Sequence, residues 1–477
     1  MPVVRNFHLA RPLIHRPLSR RELLRKSFLG LGILGAGGSL AGCQDSEGPA
    51  ASAAPVTPPA APPSTPPAVP PSPPPAPSTA RGRLVIPPLA TTPDANNLLI
   101  PQGFKSRVIA QANMQVPGTQ FLWHTDPDAG ATFAAPDGGW VYVSNREFIP
   151  GGSNAIRFDK DGVIVSAYNV LPGSLSRTNC GGGVTPWGTW LSGEENDAGY
   201  IWECDPFDTT GLSATRLDGC GTFAHEAATV DTTSHVFYLT EDQPDSAFYR
   251  FVPTTPNLGG MPSADGTLQA MKVGATQAMI DAEDARGPWP VTWVDIATPN
   301  PQQIPEAPAE LQPQMPTRTQ GQALGAARFD GGEGIWYQDG VVYFTTKGDG
   351  RVYAHDVATQ TLEVLYNRSL FQPNAIIDSV DNIVMTPGGD IVIVEDKGDP
   401  TQQATAIQPD GSIAVLVQLV GQDDSEVTGP AFSPDGRFFY FSSQRGPGAG
   451  AQIGMAGITY CIEGPWFTPL EAAAASA

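Results

Sequence analysis

The sequence predicts an all-β fold, a β-propeller with six visible units, on three observations. A unit made of a turn, a β-branched or aromatic run and a polar or acidic end occurs as Gly138–Glu147, Gly188–Asn196, His235–Asp242, Gly340–Asp349, Gly389–Asp396 and Gly436–Arg445. Most units start about 50 residues apart, the period of propellers with several short strands per repeat. The chain that carries them, residues 83–470, is long enough for one large all-β domain. A pair of β-sandwiches is the rival architecture, but it would not demand the same chemistry at the end of each repeated strand. The wide interval between His235 and Gly340 includes a proline-rich stretch from Pro253 to Gln320, which reads as a long insertion or a degenerate unit.

Three further segments flank this domain. Residues 1–42 form an export signal: Ser19-Arg20-Arg21-Glu22-Leu23-Leu24-Arg25 has the outline of a twin-arginine motif, and the apolar run Phe28–Gly42 is too short to span a bilayer comfortably. Leu40-Ala41-Gly42-Cys43 resembles a lipoprotein signal-peptidase box, which would make Cys43 a lipid anchor in the membrane; the alternative is a soluble periplasmic product cut elsewhere. Gly30-Leu31-Gly32-Ile33-Leu34-Gly35 fits a dinucleotide fingerprint, yet no strand precedes it and it lies inside the apolar signal. Residues 43–82 are a proline-rich linker that cannot bury a core and acts as a disordered, extended tether. Residues 471–477 are a short C-terminal tail.

Charge narrows the function. Lys and Arg total 27 against 48 Asp and Glu, a formal net charge of −21, and the basic residues crowd into the signal, so the exported part is more acidic still. That excludes nucleic acid as a natural partner. Excess acid commonly serves surface solubility, but it also suits a protein that collects hard cations. Of the cysteines beyond the signal, Cys204 and Cys220 are plausible disulfide partners in an oxidising compartment, which leaves Cys180 available for chemistry.

The segment from Asn179 to Glu195, N-C-G-G-G-V-T-P-W-G-T-W-L-S-G-E-E, gathers a thiol, a glycine run and an acidic pair. Glycines let the backbone approach a ligand closely, and Glu194 and Glu195 follow at the end of a short aromatic strand. The bland alternatives are a buried cysteine and two solvated glutamates. In a propeller, equivalent strand ends point to one axial opening, so Asn145 with Glu147, Glu194 with Glu195, Glu241 with Asp242 and Glu395 with Asp396 would meet there. Carboxylates crowded in a low-dielectric opening repel by several kcal/mol unless cations sit among them or some stay protonated. Bound metal is the favoured resolution.

The same cysteine segment, together with Phe223-Ala224-His225-Glu226-Ala227, Glu241-Asp242, Val380-Asp381-Asn382-Ile383 and the run Glu426–Gly436, resembles the PhoX family of exported alkaline phosphatases over most of the chain after the stalk. The resemblance implies a six-bladed propeller with ferric and calcium ions in its channel, acting on phosphate esters, most simply as a monomer with a small phosphate-ester substrate. It implies that Cys180 and Glu226 are iron ligands and that Glu333 is a further metal ligand, with Asn179, Glu194, Glu195, Asp381 and Asn382 as candidates for the calcium shell. A soft thiolate with hard carboxylates suits iron, and oxygen clusters suit calcium.

The sequence departs from the family in several details. Larger members carry Arg-x-Glu, the arginine holding phosphate; here Gly331-Gly332-Glu333 lacks it, and Arg328 or Arg445 would have to reach in from a loop. Gly193 stands where relatives often have a cysteine, and Asn145-Arg146-Glu147 replaces a histidine–glutamate pairing. Cys180, Glu226, Glu333 and Arg328 thus form the expected catalytic set. No H-E-x-x-H, G-x-S-x-G or P-loop is present, and His225 reads as a structural neighbour of Glu226. A calcium-dependent lactonase-like hydrolase and a non-catalytic metal-binding propeller remain the alternatives.

Overall fold

The computed structural model describes residues 82–468 apart from 259, 306, 308–310, 374, 398–399 and 448–455. The signal, Cys43, the linker up to residue 81 and the tail 471–477 lie outside the described residues. Two short strands, β1 (Leu98–Leu99) and β2 (Lys105–Gln111), precede the repeats. Blade one is β3 (Pro127–Ala134), β4 (Trp140–Arg146), β5 (Ser153–Phe158) and β6 (Ile164–Leu171); blade two is β7 (Asn179–Val184), β8 (Trp190–Glu194), β9 (Ile201–Cys204) and β10 (Thr215–Arg216). Blade three is β11 (His225–Val230), β12 (Phe237–Glu241), β13 (Tyr249–Pro253) and β14 (Gly266–Val273), extended by β15 (Trp289–Asp295). Blade four is β16 (Gly332–Gln338), β17 (Val341–Thr346), β18 (Arg351–Asp356) and β19 (Thr361–Asn367), and blade five is β20 (Val380–Met385), β21 (Ile391–Glu395), β22 (Gln403–Ile407) and β23 (Ile413–Leu419). Blade six is β24 (Val427–Phe432), β25 (Phe438–Ser443) and β26 (Ile458–Glu463).

Every blade is an antiparallel meander, and the six first strands adjoin one another in a closed ring, β3, β7, β11, β16, β20, β24 and back to β3. The ring is locked by the N-terminal segment: β2 pairs with β26 as the outer strand of blade six, and β1 pairs with β23 on blade five. The stretch Pro253–Gln320 is an insertion and not a lost blade. Its β14 and β15 continue blade three, and β15 reaches β19 through Trp289↔Leu362 and Pro290↔Thr361, so blades three and four share one continuous sheet.

The repeated sequence unit is the second strand of each blade with the turn before it. That turn needs a left-handed residue, supplied by glycine at Gly138, Gly188, Gly340, Gly389 and Gly436 (φ 87°, 86°, 85°, 85° and 74°) and by His235 in blade three (φ 57°). The apolar faces pack between blades, in six separate clusters that match the six interfaces. Trp140, Tyr142 and Phe158 meet Tyr440 across blades one and six, for instance, and Phe248 meets Phe344 across blades three and four. Because each blade buries both faces against its neighbours, the polar strand ends are left to the axis. Cys204 and Cys220 are free thiols buried in two different interblade clusters, so the disulfide considered from the sequence does not form. Among the described residues no helix is long and apolar enough to cross a membrane.

Candidate metal centre

A β-bulge recurs at one point in blades one to five and builds the site. The first strand pairs normally through Pro127↔Arg146, Asn179↔Glu194, His225↔Glu241, Gly332↔Thr346 and Val380↔Glu395, and its register then slips. The residue entering each bulge is Asp128, Cys180, Glu226, Glu333 or Asp381, and the residue following each second-strand partner is Glu147, Glu195, Asp242, Lys347 or Asp396. Bulges re-aim side chains and interrupt pairing. Here they generate two stacked rings, a deep one that is buried throughout (Asp128 2%, Cys180 8%, Glu226 1%, Glu333 2% and Asp381 4% exposed) and a half-buried one nearer solvent. Blade six slips later, after Thr428↔Ser442, and contributes Glu426, Gln444 and Arg445 instead.

Ligand atoms converge in three groups, each within 4.8 Å: Asp128 with Glu147 and Cys180, Cys180 with Glu195 and Glu226, and Glu226 with Glu333 and Asp381. Cys180 and Glu226 each belong to two groups, so the groups form a chain across blades one to five. Buried Glu226 Oε1 has no hydrogen-bond partner although it faces this cluster, a costly arrangement for a carboxylate unless it meets a cation. Thiolate with carboxylates in one part and oxygen alone in the other can hold more than one metal.

The electrostatics carry the same message. Burial, reinforced by neighbouring carboxylates, pushes Asp128 up to about 7 and raises Glu226 well above the carboxylate range. Burial dominates equally at Glu333, Asp381 and Glu426, against the relief that Lys347 or Arg445 gives. The Cys180 thiol is pushed up by burial and by the neighbouring carboxylates Asp128 and Glu226, a shift that a bound cation would offset. Asp396 goes the other way, since Lys347 and Arg445 outweigh its burial and keep it below the usual range. Burial opposes the charge on Lys347, but Glu333, Asp242 and Asp396 hold its ammonium well above the usual lysine range.

Several sequence expectations are corrected here. In the acidic pairs only the second member faces the axis. Glu194 instead accepts backbone N–H groups of Arg177 (2.9 Å) and Tyr200 (3.0 Å). Glu241 is spent on Arg318 Nη1 (3.1 Å), Tyr249 Oη (2.8 Å) and the Ala247 N–H (3.2 Å), and Glu395 on the Asp378 N–H (2.6 Å) and Lys397 (3.1 Å). Asn179 precedes its bulge and turns aside, accepting from the Gly152 N–H (2.7 Å) and donating to Ser192 Oγ (2.9 Å). Asn382 braces the site without joining the ligand groups: it donates to Asp381 Oδ1 (2.8 Å) and accepts from the Gly429 N–H (2.9 Å). Asn145 is also a brace, donating to the carbonyls of Cys180 (2.9 Å) and Gly181 (2.8 Å).

Arg328 is exposed, its backbone exchanging hydrogen bonds with Gln277, and it does not reach the rings. The cations facing the cluster are Lys347 and Arg445, whose Nη2 lies 2.8 Å from Glu426 Oε1. His225 is buried, packed against Phe223 in a tilted ring pair and bonded to the Gly221 carbonyl, and burial lowers it to about 3, so it is a neutral structural group. The glycine run has a different purpose from ligand approach. An added Cβ at Gly181 would stand 2.3 Å from the Glu226 carbonyl oxygen, and one at Gly183 1.8 Å from that of Ala228, so the glycines let β7 close on β11. Sequence reasoning missed Asp128 and Lys347. Aligning the first strands as well as the second would have exposed Asp128, because an acid or thiol followed by a small residue recurs in Asp128-Ala129, Cys180-Gly181, Glu226-Ala227 and Glu333-Gly334.

The sequence pattern of alkaline phosphatase PhoX matches residues 152–448, more than half of the chain. Among solved structures, PhoX of Pseudomonas fluorescens in complex with vanadate, a transition state analogue, is similar to this chain at 18% identity and a TM-score of 0.59, over 81% of this chain and 98% of that one. A luciferin-regenerating enzyme is similar at 10% identity and a TM-score of 0.42, over 77% of this chain and 97% of that one. A protein of unknown function from Bacteroides thetaiotaomicron is similar at 10% identity and a TM-score of 0.44, over 76% of each. No curated protein sequence matches the chain. With its propeller, its acidic axial rings and a family match over more than half its length, the chain belongs to the alkaline phosphatase PhoX family of phosphoric ester hydrolases.

Proposed function

We propose that this chain is an exported phosphatase that hydrolyses small phosphate esters at an iron and calcium cluster in the propeller channel. The observation that supports this most is the chain of three ligand groups sharing Cys180 and Glu226. Cys180 with Asp128, Glu147, Glu195 and Glu226 would hold iron, while the all-oxygen group of Glu226, Glu333 and Asp381 suits calcium. Such ions, when bound, neutralise phosphate oxygens and lower the pKa of an oxygen nucleophile.

The protein's own groups do the rest. Asn145 and Asn382 fix the backbone of Cys180 and the carboxylate of Asp381, so the ligands keep their geometry before loading. Arg445, at the rim and 20% exposed, orients the ester phosphate in place of the missing Arg-x-Glu arginine, exchanging part of its contact with Glu426 for a fork on phosphate oxygens. The twin-arginine signal, with Cys43 as lipid anchor and the proline-rich tether, would hold a monomeric domain clear of a membrane in the periplasm.

Elemental analysis beside phosphate release from an aryl phosphate tests the proposal. The parent should carry iron and calcium and release phosphate, and Cys180→Ala should fold, lose iron and stop. Absence of phosphate release from the metal-loaded parent, or unchanged iron in the variant, overturns it; turnover of lactones without phosphate release selects another hydrolase.

A further inference from the structure

Position by position, the half-buried ring reads Glu147, Glu195, Asp242, Lys347, Asp396, so blade four places an ammonium where the other four blades place a carboxylate. Lys347 is half-buried, with its ammonium held among carboxylates. Its Nζ lies 2.7 Å from Glu333 Oε1, 3.5 Å from Asp396 Oδ2 and 4.0 Å from Asp242 Oδ2, carboxylates from three successive blades. Glu333 is itself a member of the deep ring and of the Glu226–Glu333–Asp381 ligand group, whose Glu226 Oε1 is buried without a partner. A metal ion set between Asp242, Glu333 and Asp396 would overlap the ammonium or be repelled by it.

We propose that Lys347 is a resident cation, occupying the sector bounded by Asp242, Glu333 and Asp396 and keeping a divalent ion out of it, so that metal binding is confined to the three ligand groups. This rests on the metal-binding reading above. The glycine just beyond packs tightly: Gly348, with its N–H on the Asp330 carbonyl (2.9 Å), has no room for a Cβ, which would stand 2.2 Å from the Asp330 carboxyl carbon. Metal binding is left to Asp128, Glu147, Cys180, Glu195, Glu226 and Asp381, with Glu333 sharing its carboxylate between Lys347 and the Glu226–Glu333–Asp381 group.

The test is calcium content per chain, by elemental analysis of the full mature protein after gel filtration in calcium. Lys347→Ala, which vacates the sector, should hold one more calcium than the parent, and its melting temperature should fall more on chelation than the parent's does. Lys347→Arg, which keeps the charge, should match the parent in both. A folded Lys347→Ala with parental calcium content overturns the inference. So does a Lys347→Ala that cannot be recovered folded in millimolar calcium while Lys347→Arg can, because a divalent ion should replace the lost charge. A parent devoid of iron and calcium defeats the functional proposal; it defeats this inference only if Lys347→Ala also takes up no calcium.

Discussion

Alanine at Gly181 should separate packing from metal binding. Its Cβ would lie 2.3 Å from the Glu226 carbonyl oxygen and 2.6 Å from Glu226 Oε1, whereas ordinary contact begins at 3.4 Å, so β11 has to retreat by about 1 Å at the residue shared by two ligand groups. Overpacking of this kind costs about 1–3 kcal/mol. Metal ligands tolerate displacements of roughly 0.2 Å, so the same shift should weaken metal binding by about 10–100-fold. Gly183→Ala is the control, since its Cβ meets the Ala228 oxygen at 1.8 Å, a packing fault at least as severe but without contact to a ligand side chain. The assay is thermal melting of the metal-free forms together with a competitive metal titration. Both variants should melt earlier than the parent, and Gly181→Ala should bind metal the more weakly of the two. Parental metal affinity in a destabilised Gly181→Ala would refute the reasoning, because Glu226 would then have moved without consequence.

Other outcomes follow from the same geometry. Asp128 is raised from 3.8 to about 7 by burial and Glu147; a folded-state value above the unfolded one means that stability falls as pH rises through that window, on the order of 4 kcal/mol for this group alone. The chelated protein should therefore melt progressively earlier from pH 5 to pH 8, with the slope abolished by metal loading; a melting temperature that climbs over this range in chelator contradicts the buried-carboxylate account. Arg318→Met leaves Glu241, fully buried, without its cation, which should cost about 3 kcal/mol in denaturant unfolding, and the Glu241→Gln/Arg318→Met pair should recover much of it. Arg445→Ala should raise KM for an aryl phosphate and lower kcat/KM by roughly 100-fold with metal content retained, the size expected for a lost charge-assisted fork; equal loss of metal would make Arg445 a support for Glu426 and Asp396 only.

The repeated second strands were readable because their turn, apolar run and acidic end are set by local rules: a left-handed turn residue, alternation against two blade interfaces and a polar terminus at the axis. Cys180, Glu195, Glu226, Glu333 and Asp381, named from sequence, all meet at the centre. Glu194 and Asn179 were named beside them and turned aside, because a residue's position relative to a bulge decides whether it faces the axis, and adjacent residues in a strand point to opposite sides. Nothing in G-E-E says which glutamate precedes the register slip.

By itself, the sequence determined the all-β class, the repeat, the acidic axis and the cysteine segment, since each depends on residues close together in the chain. Tertiary structure alone decided that Asp128 and Lys347 belong to the site and that Arg328 does not. The ring brings together residues hundreds of positions apart, and only closure reveals that Lys347 projects among Asp242, Glu333 and Asp396 while Arg328 stays outside. Coulomb interaction depends on distance in space, and in this fold that distance is set by the interblade packing that closes the ring.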